Sequence, residues 1–241
     1  IKGLYVGVDG VARTVKKAYV GDANGTARLW HQRGTPLGNL AVGSTVKIAV
    51  GGTDYDWLVV HQGLPGSMYD TSCDGVWVVM KGIYTTSTFG NGNSYKNSSI
   101  HSCLDSTFYN LIDSQIRAVI KQVKIPYTNS GVHNGANGLS TKVFLLSGME
   151  AGFSSVRFMN TEGAKLSYFD SASKRVAYNG SSAAGWWLRS PLTTTSGNVW
   201  CVTSDGSSGI RDCSRGTGGV RPCMILPQDA LVDDTGHIIA A

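Results

Sequence analysis

A chain of 241 residues, 41% of them hydrophobic, can bury the core of one large domain or two small ones, which excludes a disordered protein. Thirty-one glycines and only 15% charged residues point instead to a loop-rich fold of turns and short strands. The formal net charge of +5 is modest; its early share, Lys2, Arg13, Lys16, Lys17, Arg28 and Arg33, reads as a solvated face, and no nucleic-acid partner is expected.

Residues 1–34 contain an internal repeat. Lys2, Tyr5, Val6 and Gly7 recur as Lys16, Tyr19, Val20 and Gly21, and Ala12-Arg13 recurs as Ala27-Arg28. Each copy reads as strand, turn, strand, with Asp9-Gly10 and Asn24-Gly25 supplying the positive φ of a two-residue hairpin loop. Two hairpins cannot bury Tyr5, Val6, Val8, Tyr19, Val20, Leu29 and Trp30 by themselves, so this region is expected to pack on a partner through attachment or self-association. Pro36 between Gly34 and Gly38 marks the boundary to a second domain, 35–241.

In that domain Thr45 to Val50, Trp57 to His61 and Val76 to Lys81 read as strands, the first two separated by Gly51-Gly52-Thr-Asp-Tyr. Ile100, Cys103, Leu104, Phe108, Leu111 and Ile112 recur at helical spacing behind Ser98-Ser99. A second helix opens at Asp113-Ser-Gln, runs through Ile116, Val119 and Ile120, and is expected to stop at Pro126. Gly131 to Gly138 is a polar loop, and Lys142 to Leu146 returns to strand. Ser147-Gly-Met-Glu150 has capping-box spacing, so a short helix is expected there. The fold class is therefore α+β.

The last third carries the clearest signal. Trp186-Trp187-Leu-Arg189-Ser-Pro191 is followed by about 25 residues of mostly Thr, Ser, Gly, Asn, Asp and Arg, then by Gly219-Val220-Arg221-Pro222 and the apolar run Met224 to Leu226. The flanks supply buried anchors. The insert has too little apolar content for core and is expected on the surface, where short polar side chains with arginine and aromatic residues suit adaptable recognition. Trp186, Trp187, Arg189, Val220 and Arg221 read as scaffold, the arginines bonding to backbone carbonyls or a buried carboxylate.

These motifs resemble the C-type-lectin-fold (formylglycine-generating-enzyme-like) variable proteins of phages, prophages and bacterial surfaces, which carry W-W-L-R-S-P and G-V-R-P signatures. The resemblance runs from about Pro36 to the C-terminus, through Trp57 to Pro65, Leu104 to Ile120, Val143 to Glu150, Leu166 to Phe169 and Asp234 to Ile239. The hairpin repeat is similar to Y-V-G-x-x-G-x-A-R repeats of phage tail-associated proteins. The resemblance implies a ligand- or receptor-binding protein whose insert, about 193–217, is diversified by a retroelement acting on adenines of Asn codons. Such codons cannot reach Lys, Glu, Gln, Met or Trp, and in Thr193 to Thr217 only Trp200 is of these types. Cys201 and Cys213, taken as exposed thiols, also suit random sampling.

The expected binding face comprises Thr193, Thr194, Thr195, Ser196, Asn198, Trp200, Cys201, Thr203, Ser204, Ser207, Ser208, Arg211, Asp212, Ser214, Arg215 and Thr217, with Trp200 as anchor. Its partner would be a protein or glycan on a cell surface, and its location a phage virion or a bacterial cell surface. Phage attachment and a bacterial adhesin both fit.

An oxidative enzyme of the same fold class is the rival of a different kind, but no catalytic set of Ser, His and Asp or of paired carboxylates can be assembled. No catalytic residue, metal ligand or cofactor is expected. The five histidines lack i, i+4 pairing for zinc, and five cysteines at irregular spacing make reduced thiols the expectation. A calcium-dependent sugar site would need an E-P-N or Q-P-D tripeptide, which is missing. No apolar run approaches the eighteen or so residues of a membrane span, and no charged-then-apolar leader opens the chain.

Overall fold

The computed structural model describes residues 4–15, 17–21, 27–32, 34–154 and 156–239. Strands Tyr5–Val8 and Val11–Thr14 form a hairpin, with Asp9 at φ 52° and Gly10 at φ 76° making the two-residue turn read from the sequence. Lys17–Gly21 pairs with Ala27–Gln32 in the same way, and the Asn24-Gly25 turn lies outside the described residues. Tyr5, Val6, Val8 and Tyr19 are exposed.

The rest of the chain is built on two five-stranded sheets. The first has the strand order Val143–Phe144, Cys223–Leu226, Val76–Met80, Thr53–Gln62, Thr45–Val50, all antiparallel. Val76–Met80 lies at its centre and is buried at every position, which is why it reads as an unbroken apolar run. The turn before Thr53–Gln62 is only Gly51-Gly52, at φ 59° and 79°; Thr53 to Tyr55, taken from the sequence as loop, belongs to the strand.

Helical residues cover this sheet. Ser98 Oγ accepts from His101 N at 3.1 Å and caps Ser99–Cys103, and the coil widens into a π turn at Leu104–Phe108 before closing at Tyr109–Leu111. Asp113 caps Ser114–Val119 by accepting from Gln115 N at 2.8 Å. Ile100, Leu104, Phe108, Ile112 and Ile116 are buried, with Phe108 tilted against Trp57 at 6.4 Å. The second helix ends at Val119, short of Pro126. Val123–Ile125 is already a strand paired with Leu139–Thr141, so tertiary pairing and not the proline ends the coil. The expected polar loop holds a two-residue strand, Val132–His133, paired with Tyr127–Thr128.

The second sheet has the order Ser208–Asp212, Asn198–Val202, Trp186–Pro191, Gly218–Val220, Thr85–Ser87. Trp186–Pro191 runs parallel to Gly218–Val220 and antiparallel to its other neighbour. Thr35–Pro36 pairs with Leu231–Val232, which also pairs with Ile238–Ile239, so the two ends of residues 35–239 meet in one small sheet. No helix among the described residues is long and apolar enough to cross a membrane.

Candidate ligand-binding face

Every residue of Trp186–Pro191 is buried. Trp187 Nε1 donates to Ser87 O at 2.9 Å, and its ring meets Phe89 edge-on at 5.8 Å. Gly218 packs flat on the indole; a Cβ there would lie 2.0 Å from Trp187 Cε2, so only glycine fits. Arg189, fully buried, spans both sheets and a loop. Its Nε donates to Pro126 O (3.0 Å), Nη1 to Leu145 O (2.8 Å) and Glu150 Oε2 (2.5 Å), and Nη2 to Glu150 Oε1 (2.7 Å).

Glu150 also accepts from Tyr69 OH at 2.9 Å and from Ser147 N at 2.9 Å, while its own N–H donates to Ser147 Oγ at 3.1 Å. This is the reciprocal capping-box bonding read from the sequence. It closes a turn and not the expected short helix, because the Glu150 carboxylate is fixed by Arg189 and the chain bends away at Gly152 (φ 81°). Burial is the largest single influence on the Arg189 pKa and would lower it, but the charge and hydrogen bonds of Glu150 together with the Glu162 charge outweigh it, and the net shift is upward.

Glu162 is the third ionisable group of the cluster. Its Oε1 lies 3.2 Å from Arg189 Nε, yet that N–H points to Pro126 O, so the contact is Coulombic and neither Glu162 oxygen has a hydrogen bond. Burial pushes its pKa up to about 7, against the pull of Arg189.

Gly218–Val220 leaves the second sheet and the chain enters the first at Cys223, crossing at Arg221-Pro222. Arg221 fills the crossing: Nε donates to Met80 O at 2.8 Å and Nη2 to Lys81 O at 3.3 Å, with the guanidinium 5.0 Å from the Trp186 ring. Among the described residues it meets no carboxylate, and burial pulls its pKa down to about 10. The two sequence motifs thus mark where the sheets are stitched together, one arginine bonding carbonyls and a carboxylate, the other carbonyls alone.

The insert between them contains a strand pair. Asn198–Val202 lies inside the sheet, and Ser208–Asp212 is the edge strand. Trp200 is 6% exposed and Cys201 2%, so neither belongs to a surface, contrary to expectation. Each has a physical reason. Trp200 is held under a neighbouring loop, its Nε1 donating to Phe158 O at 3.4 Å, and Cys201 faces Trp187 across the ladder. Cys213 is buried too, and burial pushes its thiol up to about 11 and raises that of Cys201. As inert small apolar residues they no longer argue for random sampling.

The remaining expected residues are exposed or half-buried, and all but Arg211 and Thr217 fall in two groups. Thr193, Thr194, Thr195, Ser196, Asn198, Asp212, Ser214 and Arg215 cluster at one end of the strand pair, where Asn198 faces Asp212. Thr203, Ser204, Ser207 and Ser208 sit at the other end, around the 203–207 turn. Many polar groups are already committed. Asp205 accepts from Thr203 Oγ1, Ser207 N and Ser207 Oγ, and Asp212 accepts from Ser214 N and Oγ; these bonds lower both carboxyl pKa values. Arg211 lies on the opposite sheet face from Asp212, 5.5 Å from the Trp187 ring, and ties back to Thr217 O at 3.0 Å.

Residues outside the insert join the first group. Asn93 N donates to Ser196 O at 2.9 Å, and Asn93 Nδ2 donates to Leu192 O and Thr195 O at 3.1 and 2.6 Å. Sequence reading missed Asn93, since a lone asparagine a hundred residues upstream carries no signal. Phe158, at φ 67°, and Ile210 are exposed apolar residues beside Trp200 that the sequence also did not single out. Among the described residues no group of three or more His, Cys, Asp or Glu side chains could hold a metal ion. All five cysteines are unpaired, and of them only Cys103 is exposed.

A family model described as a domain of unknown function (DUF6273) matches residues 74–228, which span the frame, the insert and the central strand of the first sheet. The chain belongs to the DUF6273 family. The match leaves the hairpin repeat and strands Thr45–Val50 and Thr53–Gln62 outside it. Searches of curated proteins and of solved structures find no match to this chain.

Proposed function

We propose that this DUF6273 chain is a non-enzymatic ligand- or receptor-binding protein of C-type-lectin fold, displayed on a phage tail or a bacterial cell surface, with its variable face in residues 193–217. The observation that carries the reading is the contrast within one short stretch. A polar edge strand, Ser208–Asp212, and the exposed turns at 193–197 and 203–207 lie between flanks of buried frame, anchored by Trp187, Arg189 and Arg221. An edge so supported can change side chains at exposed positions without touching the core. The meeting of the two ends of residues 35–239 and the two-sheet arrangement support the lectin-type fold.

The diversification is tested in the neighbouring DNA. The expected finding is a reverse transcriptase gene beside a near-copy of the segment encoding Trp187 to Pro222 that differs only at adenines. An intact locus without either would overturn the retroelement part of the proposal.

A further inference from the structure

Beside the insert, a cleft of about 510 Å³ opens between Thr193, Thr195 and Ser196 on one side and Asn93, Ser130 and Asn160 on the other. That is within the range of small-ligand sites. No charged side chain lines it; the lining consists of hydroxyls, amides and glycine over a floor of Pro191 and Leu192. Asn93 Oδ1, the Asn160 amide and the Ser130 hydroxyl have no hydrogen-bond partner among the described residues, although Asn93 and Asn160 are half-buried. Asn93 Nδ2 is spent on Leu192 O and Thr195 O, which fixes its free oxygen in place.

We infer that this cleft binds a neutral saccharide. Its free groups both donate and accept, as a polyol's hydroxyls do, and an ionised ligand would find no counter-charge on its walls. A peptide laid as an added strand would need free backbone amides and carbonyls. Here five of those on the insert wall are committed: Leu192 N donates to Asn198 O and Thr193 N to Phe158 O, while Leu192 O, Thr195 O and Ser196 O accept from Asn93. The cleft wall is part frame and part insert, so Asn93 and Asn160 would hold a common sugar unit while Thr193, Thr195 and Ser196 select among neighbours. The inference thus rests on the proposed variable face for its selectivity alone.

The test is an array of neutral hexose and N-acetylhexosamine oligosaccharides, with sialylated and sulfated glycans and random peptides alongside, probed with the full chain and three variants. Asn160→Ala removes a free cleft group, and Asn160→Asp puts a charge there with little change of shape. Thr194→Ala changes the insert at a position outside the cleft lining. The expected result is neutral-glycan binding by the full chain, weakened about tenfold or more in both Asn160 variants with unchanged melting temperature. Retained binding in both, or binding only to charged glycans or peptides, or no glycan binding at all, would overturn the assignment. If Thr194→Ala alters binding to any probe while the Asn160 variants do not, the cleft fails and the variable face survives. If only the Asn160 variants lose binding, the cleft stands, since Thr194 lies outside its lining.

Discussion

Glu162→Gln should make the protein more stable at alkaline pH, and the gain should itself depend on pH. In the folded chain the Glu162 carboxyl is buried without a hydrogen bond, and burial raises its pKa from near 4.5 to about 7. A raised acid pKa means that folding favours the protonated form. That contribution is fully present below 4.5, where both states hold the proton, and is lost as pH rises through about 7. A gap of about 2.5 pH units corresponds to about 3 kcal/mol. Glutamine cannot ionise, so the urea-unfolding free energy of Glu162→Gln minus that of the parent should climb between pH 4.5 and 7 and then level off about 3 kcal/mol higher. Other titrating groups, including His61 and His101, whose pKa values burial lowers, are common to both proteins and cancel in the difference. A difference flat across this range would refute the reading of Glu162 as an acid held largely protonated beside the Arg189–Glu150 pair.

Glu150→Ala strips a buried guanidinium of its carboxylate and should cost about 3 to 5 kcal/mol in chemical denaturation, against a whole-domain stability of about 5 to 15; a loss under about 1 kcal/mol would deny the cluster its structural role. Gly218→Ala drives a methyl into the Trp187 indole, and soluble yield or melting temperature should fall sharply. With a thiol reagent such as DTNB, one cysteine of five, Cys103, should react in the folded chain and the other four only in denaturant. Two fast thiols at Cys201 and Cys213 would restore the surface placement that burial denies them.

How legible this was in the sequence depended on how local the signal is. The Asp9-Gly10 turn, the Ser98 and Asp113 caps and the Ser147 to Glu150 bonding are settled within a few residues, and each is found. The scaffold role of Arg189 and Arg221 was readable because a motif of large residues around an arginine leaves it only buried partners. Where long-range contacts decide, reading failed. The helix ends at Val119 because Val123–Ile125 is wanted by Leu139–Thr141, a pairing invisible locally. The insert's overall polarity hid a buried strand: in Asn198–Val202 four consecutive residues are buried, since a covering loop closes the second face of that strand. Asn93 reaches the face from a distant loop, and only coordinates bring it there.

The central claim, that the exposed insert positions are free while the frame is not, has one direct measurement. Two surface-display libraries are compared for folded, protease-resistant protein: one randomises Thr194, Ser196, Ser204, Ser208 and Arg215, the other Trp187, Arg189, Gly218, Val220 and Arg221. Most insert variants should stay folded, and almost no frame variants should. Equal losses in the two libraries would contradict the claim.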